Sequence, residues 1–266
     1  MGIFQPASLW QTDLPEDLEQ RLAEIFDADQ GGEALPYIFF RADDIGRIDA
    51  DFVRLMELFS VWNKPLCLAL VPQWLTAESW QQMSLFAQKE ELFCWHQHGL
   101  DHSNHESTAK KNEFGESRSI EEIRDSILAG KTRLEEIIGE YSLPVFTPPW
   151  NRCSEMTMQV LLDLDFLGIS RSADVQPPAP FGLPDMAVNI DLHTRRETDP
   201  AEGMANLLSE CQAALRTGSM GFMLHHQRMN ENSFLFLEKL FKVIDGRIWL
   251  EPCTFREMLL DMLVIG

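Results

Sequence analysis

Cations are scarce in this sequence: 22 lysines and arginines face 42 aspartates and glutamates, a formal charge of -20 over 266 residues. So negative a surface repels phosphate backbones and anionic headgroups, which argues against nucleic acid and membrane as partners. A neutral sugar, a small molecule or a metal cation is left open. Cysteines are few as well. The five (Cys67, Cys94, Cys153, Cys211 and Cys253) are odd in number and scattered, with no CxxC pair. That is the pattern of reduced cytoplasmic thiols, not of a disulfide framework. Long apolar runs are missing too, and none approaches the roughly 20 residues that span a bilayer. The opening residues, MGIFQPASLWQTDLPEDLEQ, lack a basic start and an extended apolar stretch, so no signal peptide is expected. Cytoplasmic is the expected location. Hydrophobic residues at 45% are enough for a large core and exclude wholesale disorder.

What is present is alternation. The first 32 residues read as a helical extension, with Thr12 or Asp13 as cap, Pro15 in the first turn and Gly31-Gly32 as the stop. After it, short apolar runs at Tyr37–Phe40, Leu66–Val71, Leu92–Trp95, Pro144–Phe146, Leu167–Ile169, Ala187–Ile190, Gly221–Leu224 and Arg247–Leu250 read as strands. Between them lie helical patterns, the clearest over Ile120–Ile138. Strands that are apolar throughout and interleaved with helices predict a parallel sheet covered on both faces. Seven or eight such units predict an α/β fold, a single closed (β/α)7-8 barrel. Residues 1–266 are expected to form one domain, since no repeat or linker divides them.

Polar residues gather where the strands end, the edge that carries chemistry in such sheets. Asp43-Asp44 closes the first strand, His96 and His98 the third, and Pro148-Pro149-Trp150 the fourth; His225-His226 follows Gly221–Leu224. The densest feature is Trp95-His96-Gln97-His98-Gly99-Leu100-Asp101-His102-Ser103-Asn104-His105, with four of the seven histidines. Imidazole nitrogens with one carboxylate and an open position make a catalytic site for a zinc-type ion. His98 and His102 are four apart, so a helical turn is expected to turn both toward one ion. The two aspartates diverge, as strand neighbours do, so one can ligate while the other takes a proton. Taken alone, Asp43-Asp44-Ile45-Gly46 reads more readily as a turn that caps the next helix, and the neighbouring histidine cluster reverses that balance.

These residues resemble the polysaccharide deacetylase family, the family 4 carbohydrate esterases, and in particular a poorly characterised deacetylase-like branch of it. The family's Thr-Phe-Asp-Asp-Gly motif is matched by Phe40-Arg41-Ala42-Asp43-Asp44-Ile45-Gly46, and its His-x-x-x-His pair by His98 and His102. Its Arg-x-Pro-Tyr motif is similar to Thr147-Pro148-Pro149-Trp150, and its late Leu-x-His motif to Met223-Leu224-His225. The matches run in family order from about residue 37 to 226.

The resemblance implies a distorted barrel and a metal-dependent hydrolase of C–N amide bonds, most simply an N-deacetylase of a sugar or glycan precursor. Asp44, His98 and His102 would hold the ion, zinc or another divalent metal such as cobalt or nickel. Asp43 would be the base for a metal-bound water, and His225 the acid for the leaving amine, with His226 the alternative in register. The backbone N–H of Trp150 would hold the oxyanion, and Pro149, Asn151 and His105 would border the substrate. Thr147 stands where the family has the arginine that orients the base, and Arg41 is the candidate substitute. His96 is an extra histidine that could shift the ligand pair. The family's fourth motif has two candidate places, Arg171–Asp174 and Asp191-Leu192-His193. An amidase on a non-sugar substrate and an inactive metal- or sugar-binding barrel are the alternatives. The oligomeric state has no signature.

Overall fold

The structure, a computed structural model, describes residues 5–28 and 37–265. Gly31-Gly32, read above as a helix stop, lies outside the described residues. In chain order the elements are α1 (Leu18–Asp27), β1 (Tyr37–Ile45), α2 (Ala50–Val61), β2 (Leu66–Leu70), α3 (Ala77–Ala87), β3 (Phe93–His98), α4 (Ile120–Ile138) and β4 (Ser142–Thr147). They continue as α5 (Glu155–Asp163), β5 (Gly168–Ile169), β6 (Ile190–Asp191), α6 (Pro200–Arg216), β7 (Ser219–Leu224), α7 (Glu231–Asp245) and α8 (Phe255–Ile265). The strands form one seven-stranded sheet in the order β5-β4-β3-β2-β1-β7-β6. This is the α/β class, with the seven-stranded parallel sheet of a distorted (β/α)7 barrel. Among the described residues, no helix is long and apolar enough to cross a membrane.

The chain divides into two compact units. The first comprises Met1–Ala42, Asp49–Leu66 and Asn189–Cys253. In it β1 pairs with β7 from Tyr37↔Ser219 to Ala42↔Leu224, and β6 pairs with β7, all parallel. Phe40 stacks on Phe222 at 4.9 Å and meets Phe59 and Phe241 edge-on. A buried phenylalanine of this kind stabilises the fold by about 1.5–3 kcal/mol through lost water contact alone. The second unit comprises Asp43–Ile48, Cys67–Val188 and Thr254–Gly266. In it β3 pairs with β4 and β4 with β5, again parallel. Its core gathers Phe114, Ile123, Ile127, Phe146, Leu161, Phe166 and Ile169. Helix α4 begins at a capping box, Ser119 with Glu122, and ends at Gly139, whose φ of 60° only glycine adopts freely.

Several expectations about local structure need correction: of Ala187–Ile190, read as a strand, only Ile190 enters β6. Helix α1 is capped by neither Thr12 nor Asp13; it starts at Leu18 after a separate 3-10 turn over Ser8–Trp10. Trp10 is fully buried and donates from Nε1 to the Leu192 carbonyl at 2.6 Å, which holds that segment apart from the helix. Nor is Arg247–Leu250 a strand. Ile248–Leu250 is a 3-10 turn, and the following residues meet β1 in an isolated bridge of Pro252 with Ile38, where the Cys253 N–H donates to the Ile38 carbonyl at 2.8 Å.

Candidate active site

Strand β3 ends at His98, and the loop after it turns sharply at Gly99, where φ is 61°. A β-carbon there would collide with Glu113 and Pro149, so the turn requires glycine. Buried Glu113 then gathers the loop: its carboxylate accepts from the N–H of Leu100 at 3.0 Å, Asp101 at 3.2 Å and His102 at 3.2 Å. Burial pushes the Glu113 carboxyl up to about 7, although the N–H donors of Asp101 and Leu100 oppose the rise. Gln97 adds a second tie by donating to the Gly99 and Ile127 carbonyls. His102 itself is left-handed, with φ of 61°. The expected helical turn between His98 and His102 is therefore wrong. Two residues with positive φ, braced by one buried carboxylate, bring the rings together instead.

The result is a tight trio. Asp44 Oδ1 lies 3.3 Å from His98 Nε2 and 3.2 Å from His102 Nε2. Among the described residues, this is the one group of three metal-type side chains with donor atoms all within 4.8 Å of one another. Asp44 sits at the end of β1 with φ of 63°, a conformation aspartate tolerates better than most residues. His98 Nδ1 is tied to the Thr147 carbonyl at 2.9 Å, leaving Nε2 to face Asp44. Burial pulls the His98 pKa down, but the Asp44 hydrogen bond and the charges of Asp43 and Asp44 outweigh it, and the net direction is up. His102 falls to about 4, through burial and then the neighbouring His98. A tetrahedral ion with bonds of about 2.0–2.1 Å holds its ligands about 3.3 Å apart. The observed separations fit that edge length.

Aromatic rings border His102. Its ring lies 5.7 Å from Trp74 and 4.4 Å from Trp150. Trp74 is seated because Gly46 has no side chain; a β-carbon there would strike its Cβ. Arg133 of α4 fixes the same turn by donating to the Pro72 and Leu75 carbonyls at 2.7 and 2.8 Å. Trp150 and Asn151 both have positive φ, 55° and 60°, directly after Pro148-Pro149. Asn151 and Pro149 are buried, and Lys111 Nζ stands 5.8 Å from the Trp150 ring centre.

The other residues singled out in the sequence lie elsewhere. His96 is buried, with Nε2 2.9 Å from the Thr147 hydroxyl and its ring against Phe255, outside the trio. Thr147 thus secures His98 through its carbonyl and His96 through its hydroxyl. His105 is exposed on the loop. Asp43 is buried beside Asp44. In the first unit, Arg41 is buried and donates to Met223 Sδ at 3.3 Å. His226 packs edge-on against Phe52, with Nε2 3.7 Å from Asp49. His225 follows β7 in extended backbone, and its N–H donates to His193 Nδ1 at 3.0 Å. Glu113 and Arg133 carry no sequence signal for these roles beyond their types; the former stands in a polar loop and the latter on a helix face.

No protein-family model matches the chain, and no curated protein does. Solved structures do. One described as a polysaccharide deacetylase from Mycobacterium smegmatis is 14% identical, covers 89% of this chain and 93% of its own, and has a TM-score of 0.64. A family 4 acetyl xylan esterase from Clostridium thermocellum, in complex with a cobalt ion, is 14% identical over 85% of this chain and 91% of its own, at 0.53. A family 4 carbohydrate esterase pseudoenzyme from Bacillus anthracis is 12% identical over 85% of this chain and 66% of its own, at 0.51. The chain has the fold that these proteins share, as the motif resemblance implied.

Proposed function

We propose that the chain is a divalent-metal-dependent hydrolase that cleaves a C–N amide bond, removing an N-acetyl group from a sugar or glycan precursor. The observation that carries this reading is the trio itself, with one carboxylate oxygen 3.2–3.3 Å from two imidazole nitrogens. Two nitrogen donors and one oxygen suit zinc, cobalt or nickel better than magnesium or calcium. The cobalt ion named for the similar esterase supports that choice. A divalent ion there supplies a Lewis acid that polarises a carbonyl and lowers the pKa of water to about 7.

The chain's own residues would do the rest. Asp43, buried and adjacent to the ligand Asp44, takes the proton of the attacking water. The N–H of Trp150 meets the oxyanion, and its left-handed backbone turns the peptide group for that task. His225 protonates the departing amine, because an amine anion leaves far too slowly unassisted. Its fractional exposure of 9%, against 1% for His226 packed on Phe52, favours it over its neighbour. Trp74 and Trp150 offer faces for a sugar ring. Five free thiols fit a reducing compartment, and we assign the enzyme to the cytoplasm. Residues 1–266 would act as one deacetylase-like domain.

The test is bound metal and hydrolysis of an N-acetylated amino sugar, measured for wild type, His98→Ala and His102→Ala. One ion per chain is expected in the wild type, lost together with turnover in both variants. Undiminished metal in both variants overturns the ligand set. A full metal complement in a wild type that turns over no amide leaves a metal-binding barrel instead of an enzyme.

A further inference from the structure

The β6–β7 ladder ends in an unusual way. Leu192 N–H still donates to the Met223 carbonyl at 3.1 Å. One step on, the Leu192 carbonyl accepts from the Trp10 indole at 2.6 Å, and the N–H of His225 donates to an imidazole, His193 Nδ1, at 3.0 Å. The His193 ring is buried, 6.2 Å from the Trp10 ring, and Trp10 is in turn 5.2 Å from Phe236. Asn230 and Asn232 hold the Trp10 carbonyl from the start of α7. Asp191 pins the turn by accepting from the N–H groups of His193 and Thr194. Trp10 and the turn that carries the ring are thus held in place.

Burial, then the nearby His225, Arg228 and His226, hold His193 far below the usual histidine range, so it is neutral. A neutral ring that accepts at Nδ1 carries its proton at Nε2. That Nε2 meets no acceptor among the described residues. A residue kept only to fill space would avoid that cost; phenylalanine would fill the same volume without it. The acceptor at Nδ1 is what phenylalanine cannot supply.

We infer that His193 is a positioning residue for His225: its Nδ1 replaces the missing strand carbonyl and fixes the backbone from which the His225 imidazole projects, while Trp10 holds His193 in place. This rests on the reading of His225 as the proton donor. His193 acts through the peptide group of His225. Residues Ser8–Trp10, far off in sequence, become part of that support.

Two variants separate the acceptor from the ring. His193→Phe keeps an aromatic ring beside Trp10 and loses the acceptor. His193→Asn loses the ring but places an oxygen at the same δ position. With an N-acetyl amide, His193→Phe should lower kcat at least tenfold with KM unchanged, while hydrolysis of an activated acetate ester stays near wild type. His193→Asn should recover most of the amide rate. The His225 ring signals in an NMR spectrum, assigned with His225→Gln, should shift and broaden in His193→Phe and return in His193→Asn. Equal loss of amide and ester rates, an asparagine variant as poor as the phenylalanine one, or unaltered His225 signals would each overturn the assignment. If the wild type hydrolyses neither substrate, the proposed function falls, and the His225 signals alone decide the positioning role.

Discussion

His98 and His193 are both buried, both at strand ends and both tied through Nδ1 to a backbone group, yet their chemistry is opposite. His98 accepts no backbone N–H; its Nδ1 faces the Thr147 carbonyl, and its other nitrogen faces the Asp44 carboxylate. His193 faces a donor, the His225 N–H, with an indole ring nearby. Burial lowers the proton affinity of both, but the carboxylates reverse the direction at His98 and nothing reverses it at His193. The backbone group chosen as partner, carbonyl or N–H, therefore decides whether Nδ1 of a buried imidazole donates or accepts, and the carboxylates nearby decide the direction of its pKa. Residue type alone does not.

Removing the charge beside the His98 cluster should break the contrast most severely. Asp43→Asn is expected to cut amide hydrolysis by about 10²–10⁴-fold, the usual loss for a general base, with metal content unchanged. Loss of metal together with activity would make Asp43 a ligand. Next in size is the brace behind the trio. Glu113→Ala strips the acceptor from three loop N–H groups and should lower stability by about 1–3 kcal/mol in urea unfolding. Metal affinity should fall by about 10–100-fold, as for other groups that orient ligands. The smallest effect belongs to the first unit. Burial raises the Glu197 carboxyl, but hydrogen bonds from its own backbone N–H, Asn206 and Arg195 outweigh it and hold the pKa at about 2. Its contribution is complete above about pH 4.5 and is lost as pH falls through 2. Glu197→Gln should thus cost about 1 kcal/mol at pH 7, allowing for partial solvent screening, and the difference from wild type should vanish toward pH 2.

Periodic features were legible in the sequence. Helix α4 has the bounds its pattern predicts, and the apolar runs ending at Asp43-Asp44, Trp95, Phe146 and Leu224 are strands. The Asp43-Asp44 pair and the histidine run were legible as a candidate site, but the choice of Asp44, His98 and His102 came from the family resemblance; the structure brings those three together. What escaped was everything that depends on a partner far along the chain. The loop conformation joining His98 to His102 is set by Glu113, eleven residues past His102, and by the fit of Gly99 against Pro149. Burial of one carboxylate inside a polar loop cannot be read from a window of local hydropathy. Thr147 comes opposite His98 only because β4 carries two residues, Pro144 and Val145, without counterparts between His96 and Gln97, an irregularity that no local pattern announces. Arg133 reads as one more cation on an amphipathic helix, and only the turn it meets gives it a purpose.

Of the seven non-glycine residues with positive φ among the described residues, Asp44, His102, Trp150 and Asn151 lie in the motifs around the trio. Held conformations of this kind cost on the order of 1–3 kcal/mol each, least for the aspartate and asparagine. Glycine at His102 or Trp150 would relax the backbone and remove the side chain in one step. Selection for a hardier fold and selection for this site consequently pull in opposite directions at the same codons. A laboratory search for heat-resistant variants would drift toward glycine at these positions unless activity were screened alongside, and the loss of the aromatic and imidazole groups there would go unnoticed in a melting curve.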